Sequence, residues 1–216
     1  MTTDATDPGV DGLVHLMDDD ALLARLADDL DGAFEALVRA HQDRLYTIAL
    51  RMLGNASDAE EVAQDAFLRA YRALAGYEPA RIRELRLRGW LATIVIRRCR
   101  SRAVRRHLAT TPLGPELADT GGATIAQTTA AQSPPSQSPL QHALRRESAE
   151  AWVARIAALP VRYRAAIVLR HVDGLSYPEM SEVLGRPEGT VKAQVHRGLA
   201  LLRHAIEAAE REESIA

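Results

Sequence analysis

Ten arginines and one glutamate lie between residues 81 and 106, a local charge of +9. Side chains of this kind hold polyanions rather than transfer groups. A guanidinium bonds phosphate oxygens and guanine edges in pairs, and the affinity of a dense cluster falls steeply as salt rises. Trp90 stands inside the run. It reads either as a core aromatic or as a platform for unpaired bases, where stacking is worth roughly 1–3 kcal/mol per base. Residues 188–197, EGTVKAQVHR, offer a second set of small, hydrogen-bonding and cationic side chains. A third set is acidic: Asp58, Glu61 and Asp65, in helical register with Leu68 and Arg72. The sequence has no H-E-x-x-H, no glycine-rich phosphate loop and no nucleophile elbow, and its seven histidines are scattered. Cys99 is the sole cysteine, which excludes an internal disulfide and a Cys-based zinc site. The chemistry on offer is binding.

These groups need helices to position them. Residues 32–53 form a helix with Phe34, Leu37, Val38, Leu45, Ile48, Ala49 and Met52 as its inner stripe. Gly54 and Asn55 break it, and the S-x-x-E spacing of Ser57 and Glu60 reads as a capping box for the next helix. In that helix Ala59, Val62, Ala63, Ala66, Phe67, Ala70 and Leu74 share one face. The acidic stripe lies outside. Charges there mean only solvation in the ordinary case, but Leu68 among them gives the face the character of a docking surface. A third helix spans about residues 86–107, with Leu91, Ile94, Val95 and Cys99 inward and arginines around most of its second half.

The second half of the chain carries a sharper pattern. Leu159-Pro160 introduces a helix that ends at Asp173-Gly174. Ser176 and Glu179 form a second capping box, with Pro178 in the first turn, where a missing N–H does no harm. The short helix Tyr177–Leu184, the turn Gly185-Arg186-Pro187 and a longer helix from Glu188 make a helix-turn-helix. On the longer helix Val191, Val195, Leu199 and Leu202 point inward. Gly189, Ala193 and Arg197 lie opposite, flanked by Thr190, Lys192, Gln194 and His196, a mix suited to a major groove. Structural trihelical units share this pattern.

Composition bounds the rest. The 216 residues suit one or two domains. Lys192 is the only lysine; an arginine excess of this kind favours phosphate recognition and also follows from a GC-rich coding sequence. The net charge of −2 conceals an acidic head, since residues 1–31 hold nine Asp and one Arg. That start lacks the basic and apolar parts of a secretion signal, and no apolar run is long enough for a bilayer. A cytoplasmic protein without membrane insertion is expected. The fold expected is all-α: an acidic disordered head over 1–19, a helical bundle over 20–107, a flexible linker over 108–147 and a helix-turn-helix domain over 148–212. The linker holds half the prolines of the chain and shows no periodicity. As a free coil it reaches roughly 35 Å, which reads as two domains on a tether. By charge alone, the head would shield the arginine-rich helix.

Together these segments resemble the extracytoplasmic-function sigma factors of bacteria. AFEALVRAHQDRLYTIALRMLGNASDAEEVAQDAFLRAYRAL and RGWLATIVIRRCRSRAVRRH are similar to the family's region two, and LPVRYRAAIVLRHVDGLSYPEMSEVLGRPEGTVKAQVHRGLALLR to its region four. The resemblance implies a polymerase specificity subunit that performs no catalysis and needs no cofactor or metal. It implies core RNA polymerase and promoter DNA as partners, with an anti-sigma factor as a third, since many relatives have one. It places core-polymerase docking on Asp58, Glu61, Gln64, Asp65, Leu68 and Arg69. It places minus-ten recognition and opening on Trp90, Thr93, Arg97, Arg98 and Arg100. It places minus-thirty-five recognition on Glu188, Thr190, Lys192, Ala193, Gln194, His196 and Arg197. Gln194 and Arg186 depart from the family's usual residues, Arg and an aliphatic side chain. A stand-alone helix-turn-helix regulator is the alternative; it leaves the acidic stripe and the Trp–Arg helix without a purpose.

Overall fold

The computed structural model describes residues 19–110 and 150–213, and among these there is no strand. The head over residues 1–18, the linker from 111 to 149 and the shielding role expected of the head lie outside the described residues. The helices are α1 (19–28), α2 (Leu30–Leu53), α3 (Ala56–Leu74), α4 (Pro79–Arg83), α5 (Leu87–Thr110), α6 (150–158), α7 (Val161–Ile167), α8 (Tyr177–Leu184) and α9 (Glu188–Glu213). A single wide π-helical turn, Val168–Val172, extends α7.

In the first half, α2, α3 and α5 pack around one another, with α1 closing the bundle through Leu22, Leu23 and Leu26. All seven residues expected on the inner face of α3 are buried. On α2, Leu37, Leu45, Ile48, Ala49 and Met52 are buried, whereas Phe34 and Val38 are only partly covered. Full burial of a leucine or isoleucine contributes roughly 1.5–3 kcal/mol, so this interior carries the bundle. Cys99 belongs to it, and burial pushes its thiol up to about 12.

Local chemistry sets the helix ends. Gly54 adopts φ 69 and stops α2, which makes the next residue the first extended one. Asn55, at φ −137, accepts from the Asp58 N–H at 2.9 Å and so caps α3, two residues before the expected Ser57. In the second half the expected box is present. The Ser176 side chain accepts from the Glu179 N–H, and the Ser176 N–H donates to the Glu179 carboxylate at 2.7 Å. Gly185 at φ 63 ends α8 and makes the tight turn into α9.

Two boundaries differ from the sequence expectation. Asp19, placed in the head, is helical and buried, with its carboxylate 3.2 Å from Nε2 of the fully buried His41. Helix α5 continues to Thr110. The larger difference is in arrangement. The two halves do not sit apart on a tether; α8 packs on α5, and the π turn and α7 pack on α2, so the buried apolar residues form one continuous core.

Candidate nucleic-acid interface

Three faces carry the residues singled out above. The most open is the outer side of α9. Glu188, Gly189, Thr190, Lys192, Ala193, His196 and Arg197 are all exposed, and a Cβ placed on Gly189 would meet nothing within 4 Å. Contacts among these groups are few: Lys192 lies 3.5 Å from Glu188 and 5.4 Å from the Tyr177 ring centre. Arg197 bonds the Tyr163 hydroxyl, and this guanidinium holds the phenol below its usual value despite burial of the ring. That anchor orients a side chain that is otherwise free to reach a base edge.

Gln194 does not share this face. It is 7 % exposed. At ~100° per residue it lies about 60° from Val191, on the side of Gly198. The inner sector of α9 is turned toward that side because α7 comes close there; a Cβ on Gly198 would sit 2.7 Å from Ile167 Cγ1. By the same rotation Leu199, expected inward, is only partly covered. A glycine in the interior of a helix is the signal that could have located this close approach.

The second face is the start of α5. Trp90 is partly buried against the core, with its ring 6.3 Å from that of Tyr77. The Arg81 guanidinium lies 3.8 Å over the other aromatic, Tyr77. The Thr93 hydroxyl donates to the Gly89 carbonyl at 2.9 Å, one turn back on its own helix. Arg97 is exposed and Arg100 half-buried. Burial, then Arg186 and Arg97, lower the Arg100 guanidinium below its usual value, a sign that positive charge gathers here from both halves.

The third face, the acidic stripe, is not a row of free carboxylates. Arg98 pairs with Asp65. Arg102 donates to Asp58 at 2.7 Å and to Glu61 at 2.6 Å, so α5 neutralises α3 across the bundle. Arg69 reaches Asp65 at 3.0 Å. Gln64 and Leu68 remain open; Leu68 is 56 % exposed, and Tyr71 one turn on is exposed as well. The apolar character of this face is what the structure leaves uncovered.

Sequence comparison supplies the deciding observation. The Sigma-70 region 2 family matches residues 37–108, and the Sigma-70, region 4 family matches residues 149–202. The ECF RNA polymerase sigma factor SigW of Bacillus subtilis is 34% identical over 171 residues, 79% of this chain and 87% of that protein. The chain belongs to the ECF sigma factors of the sigma-70 family. Solved sigma-factor structures share the fold. CnrH, in complex with the cytosolic domain of CnrY, aligns with a TM-score of 0.59 at 24% identity, over 88% of this chain and 97% of that one. The sigma factor RpoE of Bartonella quintana, in complex with the anti-sigma factor NepR, gives 0.57 at 21%, over 81% and 96%.

As a sigma factor, the chain binds core RNA polymerase and directs it to promoters. Region 2 spans most of α2 together with α3, α4 and most of α5, and region 4 spans α6 to the middle of α9. No described helix is long and apolar enough to cross a membrane.

Proposed function

We propose that the two matched regions divide the work of promoter recognition between them. In the second, α9 enters the major groove of the minus-thirty-five element. Thr190 and Arg197 reach base edges, while Lys192 and His196 hold phosphates and Glu188 and Ala193 flank them. Gln194 acts from beneath, as a packing residue that fixes the pitch of the helix. In the first region, Trp90, Thr93, Arg97 and Arg100 meet the minus-ten element and assist its opening. Arg98, spent on Asp65, sets the position of its neighbours. Leu68 and Gln64 make the apolar centre of the polymerase-docking face, and Asp58, Glu61, Asp65 and Arg69 form its charged rim. The subunit is not an enzyme and works in the cytoplasm; its contribution is binding energy that selects one DNA site and one strand-separated state. An anti-sigma factor is a further partner, by likeness to the complex of the Bartonella relative with NepR.

The single observation that carries this reading is the open outer face of α9, a row of cationic and hydrogen-bonding groups with almost no partners of their own. The experiment is reconstitution: purified chain is added to bacterial core polymerase, and transcripts from a promoter library are sequenced. Start sites that share two upstream elements and need the added chain are expected. Failure of the chain to bind core polymerase overturns the reading; promoter-duplex binding without any effect on core favours the stand-alone regulator instead.

A further inference from the structure

Two cations of the second half share one aromatic ring. The Arg170 guanidinium carbon stands 4.9 Å over the centre of the Tyr177 ring, and the Lys192 ammonium stands 5.4 Å from the same centre. Both lie inside the roughly 6 Å within which the negative face of a ring attracts a cation. They come from different elements: Arg170 from the π turn, Lys192 from near the start of α9, while Tyr177 opens α8.

The ring that joins them is fixed. Tyr177 packs partly buried against the core. It stands between Ser176, whose capping box with Glu179 closes this end of α8, and Pro178, whose φ is locked. The cations have weaker holds elsewhere. Lys192 is exposed, and its other partner, Glu188, sits one turn back on the same helix at 3.5 Å. An exposed ion pair of that spacing contributes little and is screened by salt. Arg170 is half-buried and donates from Nη1 to the Leu175 carbonyl at 3.0 Å, an anchor that uses one of its nitrogens.

The place matters for recognition. The first helix of a helix-turn-helix crosses the DNA backbone, and a bare helix N-terminus holds a phosphate through its open N–H groups. In α8 that end is already occupied. The Glu179 N–H donates to the Ser176 hydroxyl, the Ser176 N–H donates to the Glu179 carboxylate, and Pro178 has no N–H. The carboxylate itself repels a phosphate. Attraction for the backbone here falls to side chains, and Arg170 and Lys192 are the cations gathered there. A lysine on a flexible four-carbon stem loses rotamer freedom when it docks, and a contact ordered beforehand loses less. Resting on the minus-thirty-five reading above, we infer that Tyr177 is a positioning residue for that element: its ring pre-orders Lys192 and Arg170 as a phosphate clamp at the start of the helix-turn-helix.

The sequence supplies a reporter. Lys192 is the only lysine, so carbon-13 lysine gives a single labelled side chain in the full chain. Its Cε protons should be shifted upfield by the ring in the parent and in Tyr177→Phe, and should return to the position of a solvated lysine in Tyr177→Leu. The same signal position in all three overturns the clamp. Anisotropy with the minus-thirty-five duplex at fixed salt is the second measurement. Tyr177→Phe should bind as the parent does. Phenylalanines carrying successive fluorines at position 177 keep the shape of the ring but drain its face, and should lose affinity in steps, about two- to fivefold in all. A flat series overturns the proposal. A loss that persists when Lys192 and Arg170 are both alanine also overturns it, because a ring that acts through packing alone ignores those cations. If the parent binds no minus-thirty-five duplex, that reading fails by itself, and the lysine signal still decides whether the ring holds its cation. If Tyr177→Leu does not fold, the fluorinated series decides, with the lysine signal moving back as fluorines are added.

Discussion

Helices α5 and α9 both carry cations toward a nucleic acid, yet they are built in opposite ways. On α5 three of the arginines are committed within the protein: Arg98 to Asp65, Arg102 to Asp58 and Glu61, and Arg88 to the Asp173 carbonyl. On α9 the outer side chains touch little beyond Glu188, Tyr163 and Tyr177. The charge of +9 over residues 81–106, only part of which lies in α5, thus overstates what α5 offers to DNA, whereas the few groups on α9 are nearly all available. The difference suits the two tasks. A helix that reads intact duplex needs a polar face ready before contact. A helix that joins in strand opening works in company with polymerase, and its charges can wait behind counterions until then.

The largest effect should come from the footing of α9. Gly198→Ala drives a Cβ to 2.7 Å from Ile167 Cγ1 and 3.4 Å from the Tyr163 carbonyl oxygen. Overpacking of this kind costs about 1–3 kcal/mol; the clash is with the Ile167 side chain, since the Tyr163 oxygen at 3.4 Å is an ordinary contact. Gly189→Ala, on the open side of the same helix, should be neutral or stabilising by up to about 1 kcal/mol. Denaturant unfolding of the pair checks this. Equal losses at the two glycines would mean that the faces are assigned wrongly.

Next in size is the contrast between the two sets of arginines. Arg197→Ala should weaken binding of the full chain to its minus-thirty-five duplex by about 1–3 kcal/mol, the worth of a bidentate base contact. Arg102→Ala should leave that affinity nearly unchanged, because its guanidinium is engaged by two carboxylates. Fluorescence anisotropy at fixed salt measures both. A comparable loss from Arg102→Ala would erase the distinction drawn between α5 and α9.

Some of this design is legible in the sequence and some is not, for a physical reason. Helical periodicity is local, so the seven buried residues of α3 and the bounds of α8 follow from spacing alone. Caps are nearly as local. The α3 cap is Asn55 and not Ser57, because the chain is extended directly after Gly54 and the Asn55 side chain there accepts from the Asp58 N–H. Gln194 points outward on a helix with a symmetrical inner face, but the close approach of Ile167 at Gly198 turns that face and buries it. Arg44 and Asp173, an ion pair between the two halves, are 129 positions apart. Nothing within either segment marks one as the partner of the other, and a linker composition says only that a tether can exist, never whether the domains it joins will dock.

The smallest effect probes the committed charges themselves. Asp58 has a 13% exposed side chain and accepts from Arg102, which also reaches the 62% exposed Glu61. Partly exposed pairs like these contribute roughly 0.2–1 kcal/mol each. Asp58→Asn should therefore cost the bundle under about 1 kcal/mol, even though the carboxylate also sits in the first turn of α3, where negative charge is favoured. The same change frees Arg102 from one of its two counterions. Binding of the free chain to single-stranded minus-ten DNA should then rise, and fall more steeply with salt, by about 0.7 of a unit of the log–log slope for one added phosphate contact on a single strand. Salt titrations of parent and variant give that slope directly. A slope that does not change would mean Arg102 is held in place by packing alone, and that α5 differs from α9 in the number of its free charges but not in how they are kept.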